Sequence, residues 1–137
     1  MKVLNFEDSV YKANAIRKVL NQCGVAKIEL VSNVEDGLQM LKNAEDTGDP
    51  FDLIITDMHY PMKQGAVSDT EAGEKLVQLL QEQGKQTKVI VCSSRNMKLP
   101  GVYGCIWYSE ISDWEEELCD LCLLYTSPSP RDISGSR

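Results

Sequence analysis

Histidine is almost missing from this chain. His59 is the only one, alongside five scattered cysteines and two phenylalanines. A single histidine and no second CxxC leave no zinc-finger framework. Neither G-x-x-x-x-G-K-[ST] nor G-x-G-x-x-G occurs, which counts against a nucleotide-binding fold. No apolar run approaches bilayer-spanning length. The opening MKVLNFEDS turns acidic before a secretory hydrophobic region can form. Positive charge is scarce: 14 Lys and Arg stand against 21 Asp and Glu, a formal net charge of -7. That balance argues against a surface that holds nucleic acid directly, though not against an acidic module joined to a DNA-binding partner. A cytoplasmic chain without membrane association is the default expectation.

The cysteines, at positions 23, 92, 105, 119 and 122, are odd in number and follow no framework spacing. Reduced intracellular thiols are expected. Cys119-x-x-Cys122 has the form of a redox or metal half-site, but chance spacing explains it more simply.

What is present suits one α/β domain. Hydrophobic residues make up 42% of 137 residues, enough for an ordinary core. Residues 2–6 read as an apolar strand ending in Glu7-Asp8. Ser9 caps a helix with Ala13, Ile16, Leu20 and Cys23 at helical spacing, and Gly24 ends it. Residues 27–31 form a second strand, and Asn33 caps a second helix. Residues 51–56, FDLIIT, form a buried third strand that stops at Asp57. Residues 60–71 read as a long polar loop, followed by a helix over 72–83. Residues 88–92 form a fourth strand ending in Ser93-Ser94. The next connection contains Pro100-Gly101 and has little room for a full helix. Residues 105–108 form a fifth strand, and Ser112-Asp-Trp-Glu115 reads as a capping box opening a last helix. Strands alternating with helices imply right-handed crossovers and a parallel sheet covered on both faces.

The end of the chain is unusual. Residues 122–132 look like the translation of a common sequencing-library adapter. The expected division is therefore a domain over 1–121, its last helix truncated, and a disordered, artefactual tail over 122–137.

Three strand ends carry candidate chemistry: Glu7 and Asp8, Asp57, and Ser93. In a parallel sheet they share the edge at which ligands bind. Clustered carboxylates favour a bound cation, and Mg²⁺ takes a few carboxylates plus water and phosphate oxygens. An aspartate beside such a cation can act as a nucleophile toward phosphorus.

Over residues 2 to about 120 the chain resembles the receiver domain of two-component response regulators, with a chemotaxis-regulator-like fold. The resemblance rests on Glu7-Asp8 after strand one, Asp57 closing strand three, the spacing Asp57, Pro61, Gly65, and Ser93 ending strand four. It implies a flavodoxin-like, doubly wound five-stranded parallel sheet in the order 2-1-3-4-5. It also implies phosphorylation of Asp57 by a sensor histidine kinase or phosphotransfer protein, and no enzyme activity beyond gain and loss of that phosphoryl group. Asp8, Asp57 and the backbone carbonyl of His59 would hold Mg²⁺, with Glu7 contributing directly or through water. Ser93, with Ser94 as its rival, would contact the phosphoryl group. A downstream output, for example transcription regulation, would follow.

Two departures from the family pattern stand out. The lysine usual at the end of strand five falls on Ser109 or Tyr108, with Lys98 as a candidate substitute, and the aromatic switch position falls near Ile106. The fourth helix is too short or missing. These departures motivate the alternative of a degenerate receiver that binds partners without phosphorylation. An aspartate-based phosphatase is disfavoured because His59 stands where a second acid would be needed.

Overall fold

A computed structural model describes residues 1–126. Its elements are β1 (Lys2–Phe6), α1 (Val10–Gln22), β2 (Lys27–Val31), α2 (Val34–Asp46), β3 (Leu53–Thr56), β4 (Tyr60–Pro61), β5 (Ser68–Asp69), α3 (Ala72–Glu82), β6 (Lys88–Ser93), β7 (Gly104–Trp107) and α4 (Trp114–Thr126). Five strands form one parallel sheet in the order β2-β1-β3-β6-β7. Without the small hairpin strands β4 and β5, that is the expected 2-1-3-4-5 order, with helices on both faces.

Side-chain alternation divides the core. Leu4, Phe6 and Ile54 face one way, toward Leu41 of α2 and Leu76 of α3. Val3, Leu53, Ile55, Ile90 and Ile106 face the other, toward Ile16 and Leu20 of α1 and Leu118 of α4. All four residues of β3 are buried, as a central parallel strand requires. The first two N-caps read from the sequence form: Ser9 accepts from the backbone N–H of Lys12 at 3.4 Å and Asn33 from that of Asp36 at 2.8 Å. Each satisfies one of the orphan donors of a helix start. Among the described residues, 94–103 contain no helix, in line with the Pro-Gly signal.

Four expectations need revision or restatement. Residues 60–71 are not simply loop, because β4 and β5 pair antiparallel as a short hairpin. Its anchor is Tyr60, fully buried, whose hydroxyl shares a hydrogen bond with Thr56 at 2.8 Å. Ser112 does not cap the last helix. Its hydroxyl donates to the carbonyls of Trp107 and Ser109, and α4 begins at Trp114. The expectation of five free thiols gives way to a disulfide between Cys23 and Cys119, Cα–Cα 5.7 Å, joining the end of α1 to α4. Cys119 therefore has no role as half of a CxxC site. Finally, the expected boundary after residue 121 falls inside α4, where Cys122 is 2% exposed and packs with Leu118. The tail over 127–137 lies outside the described residues.

Cys92 and Cys122 are buried, and Cys105 is partly exposed. Burial pushes the Cys92 thiol up to about 12 and the Cys122 thiol up to about 11. Since the thiolate is the reactive form, a thiol reagent at pH 8 is expected to modify Cys105 first in the native, oxidised protein. Cys92 and Cys122 should react only on unfolding, and Cys23 and Cys119 only after reduction. Peptide mapping of the modified cysteines checks this; early modification of Cys92 would contradict the burial.

Candidate functional site

The ends of β1, β3 and β6 open onto one cleft of ≈ 400 Å³, lined in part by Glu7, Asp8, Lys12, Asp57, His59 and Tyr108. Register explains the convergence. Phe6 pairs with Thr56 and Thr56 with Val91, so the residues leaving these strands emerge side by side. The Asp57 N–H donates to the Phe6 carbonyl at 3.1 Å, fixing the aspartate to the end of β1. Its Oδ1 accepts from the Met58 N–H at 2.7 Å and lies 3.2 Å from the Lys12 ammonium. Both contacts fall on Oδ1. Oδ2 carries none among the described residues, and the side chain is 15% exposed.

Glu7 and Asp8 differ sharply. Glu7 is 2% exposed. Its Oε2 accepts from the Ser9 N–H at 3.0 Å, and its Oε1 stands 3.1 Å from the Lys12 ammonium as an ion pair rather than an aligned hydrogen bond. Burial pushes the Glu7 carboxyl above the ordinary carboxylate range, against the pull of Lys12 and the Ser9 N–H. Asp8 is exposed and faces the cleft.

Lys12 was not among the site residues read from the sequence. It is the third residue of α1 and is 6% exposed. Besides the two carboxylates, its ammonium donates to the Cys92 carbonyl at the end of β6, at 2.6 Å. The ammonium thus meets two carboxylates as ion pairs and one carbonyl as a hydrogen bond, one group from each neighbouring strand end. Burial alone would lower this amine, but Glu7 and Asp57 outweigh it and hold Lys12 above the ordinary lysine value, so it is charged at neutral pH. The available signal was its spacing: Lys12 stands four residues before Ile16 and eight before Leu20, on the buried stripe of α1.

Of the two positions for the usual lysine, Tyr108 lines the cleft and Ser109 does not. The Tyr108 ring lies 5.2 Å from the Lys12 ammonium and 4.8 Å from the Trp114 ring. Lys98 is exposed on the 94–103 connection, away from the cleft lining. Ser93 is 2% exposed, and its hydroxyl accepts from the Arg95 N–H at 3.1 Å. Ser94 is exposed and lines the cleft. Ile106 is buried in the core, and the Trp107 indole donates to the Ser94 carbonyl at 3.0 Å. His59 lines the cleft just before β4.

The phosphorylated cyanobacterial phytochrome response regulator RcpA superposes with a TM-score of 0.73 at 17% identity, covering 93% of this chain and 95% of that one. Response regulator RPA3017, from red light signaling of R. palustris, gives 0.69 at 18% identity over 93% and 95%. Chemotaxis response regulator CheY4 of Vibrio cholerae gives 0.62 at 20% identity over 90% and 97%. The fold is that of response regulator receiver domains. No protein-family model matches the chain, and no curated protein matches it. The carboxylates lie at the carboxyl ends of the parallel strands, the edge at which open α/β sheets bind ligands. No helix among the described residues is long and apolar enough to cross a membrane.

Proposed function

We propose that this chain is a phosphoryl-accepting signalling module in which Asp57 is the acceptor. The observation that carries the reading is the asymmetry of its carboxylate. Oδ1 is held by the Met58 N–H and Lys12, while Oδ2 has no partner among the described residues on a side chain that reaches the cleft. A nucleophile held by one oxygen and open at the other is placed for attack on phosphorus. The donor would be a histidine kinase or a phosphotransfer protein. The chain's own chemistry would be limited to gaining and losing that group.

The residues present fit a divalent cation in a restricted way. Among the described residues no three His, Cys, Asp or Glu side chains gather into a metal cluster. Mg²⁺ does not need one, because it keeps several waters and binds through one or two carboxylates plus phosphate oxygens. Asp8, exposed at the cleft, and Asp57 would supply those carboxylates, with the His59 carbonyl beside them. Glu7, buried against Lys12, would act through the negative charge it places behind them. The ion would offset charge on the phosphoryl oxygens. Ser94 lines the cleft, so it joins Ser93 as a candidate phosphoryl contact from the end of β6.

Incubation of the purified chain with Mg²⁺ and phosphoramidate is expected to give a hydroxylamine-labile phosphate on Asp57, detected by mass spectrometry and absent from Asp57→Asn. No labile phosphate, or the same label in Asp57→Asn, would sink the reading. In that case the alternative, a receiver scaffold that binds partners without phosphorylation, would stand. It is motivated by the position of the usual lysine falling on Ser109 or Tyr108, neither of them cationic.

A further inference from the structure

We infer that Lys12 supplies the fixed positive charge of the phosphoryl-transfer site, delivered from the first turn of α1 rather than from the end of β7. The inference rests on Asp57 being the acceptor.

A lysine is among the residues least often fully buried, and the first turn of a helix is where a cation is least favoured by the backbone dipole. Lys12 is both buried and in that turn. Its ammonium is not left against apolar surface but stands between Glu7 at 3.1 Å and Asp57 at 3.2 Å, tied to the Cys92 carbonyl at 2.6 Å. A purely structural ion pair would be satisfied by Glu7 alone. The third and fourth groups of this arrangement are the acceptor carboxylate and the strand end that leads to Ser93 and Ser94. Neither Ser109 nor Lys98 brings a cation here, and Tyr108 presents its ring to the same ammonium.

The charge acts on a defined step. Asp57 Oδ2 forms a bond to phosphorus as the P–N bond of phosphoramidate breaks. The electron pair leaves on nitrogen, which departs as ammonia. Asp57 exchanges a carboxylate charge for an acyl phosphate carrying more negative charge. An ammonium already held beside Oδ1 stabilises that growth without reorganising.

The test is the rate of Asp57 labelling by phosphoramidate and Mg²⁺ in the full chain, for wild type, Asp57→Asn, Lys12→Met, and Lys12→Met with Tyr108→Lys. Loss of one preorganised charge is expected to slow labelling about 100-fold in Lys12→Met. A lysine at 108 should recover most of that loss, because the Tyr108 ring already lies 5.2 Å from the ammonium. Should Lys12→Met fail to fold by circular dichroism, Lys12→Met with Glu7→Gln, which removes both buried charges, takes its place. Labelling of a folded Lys12 variant at the wild-type rate overturns the inference while leaving Asp57 as acceptor. So does slow labelling that Tyr108→Lys does not restore. A wild type that takes no label overturns the Asp57 reading, and the inference with it.

Discussion

Reduction of the Cys23–Cys119 disulfide is expected to remove roughly 3–5 kcal/mol of stability, because it opens a covalent loop of 96 residues in the unfolded chain. A cross-link acts mainly by restricting the unfolded ensemble, and the effect grows with the logarithm of loop length. This loop spans every strand of the main sheet except β1, together with α2, α3 and the first part of α4. The Cα atoms are 5.7 Å apart, inside the usual range for a bridge, so the native state needs no backbone movement to accommodate it. With an m-value near 2 kcal/mol/M, the urea midpoint should fall by about 2 M between oxidised and reduced protein. Cys23→Ser with Cys119→Ser should match the reduced form under either condition. Equal midpoints for oxidised and reduced wild type, or five free thiols in the native protein, would show that the bridge does not contribute.

That bridge also bears on the site. It fixes the C-terminal end of α1, where Cys23 is the capping residue, to α4. Lys12 is near the other end of the same helix. Reduction therefore tests whether labelling at Asp57 depends on how firmly α1 is seated, separately from global stability.

How far the sequence revealed this arrangement depends on the kind of signal each residue carries. Asp57, Glu7 and Asp8 were legible because each stands where an apolar strand pattern stops, and parallel strand ends converge. The strand pattern gave a parallel sheet, and its order came from the resemblance to receiver domains. Lys12 was hidden because a lysine within an amphipathic helix ordinarily reads as solvent-facing. Its burial is set by Glu7, Asp57 and Cys92, which stand at the ends of three different strands, β1, β3 and β6. The Cys23–Cys119 pair was hidden because two cysteines so far apart carry no local spacing signal. Ser112 shows the converse. Its capping-box spelling was correct, but the carbonyls at the end of β7 took its hydroxyl first. Tyr60 anchors a hairpin of two-residue strands, too short for any periodicity to register.

Gly73→Ala is expected to destabilise the protein by roughly 2 kcal/mol, the typical cost of forcing extra volume into a packed contact. The sign is informative, since alanine in place of glycine within a helix ordinarily stabilises by about 1 kcal/mol. Gly73 is the second residue of α3, and its N–H donates to the Met58 carbonyl at 3.2 Å. A Cβ there would overlap the backbone carbonyl oxygen of Asp57 and stand 3.0 Å from the Met58 Cα and sulfur. The obstacle is backbone, not the end of a flexible side chain, so relief requires α3 to move away from the segment that carries Asp57. That displacement should reach the Asp57 carboxylate, whose Oδ1 is held by the Met58 N–H. Since misplacement of about 1 Å can cost 100-fold in a positioned reaction, labelling by phosphoramidate should fall much further than the fraction of unfolded protein explains. Thermal melts and labelling rates, both at a temperature where the variant is fully folded, separate the two effects. A Gly73→Ala protein as stable as wild type would show that α3 does not press on the strand end. A destabilised variant with unchanged labelling would show that the pressure stops short of Asp57.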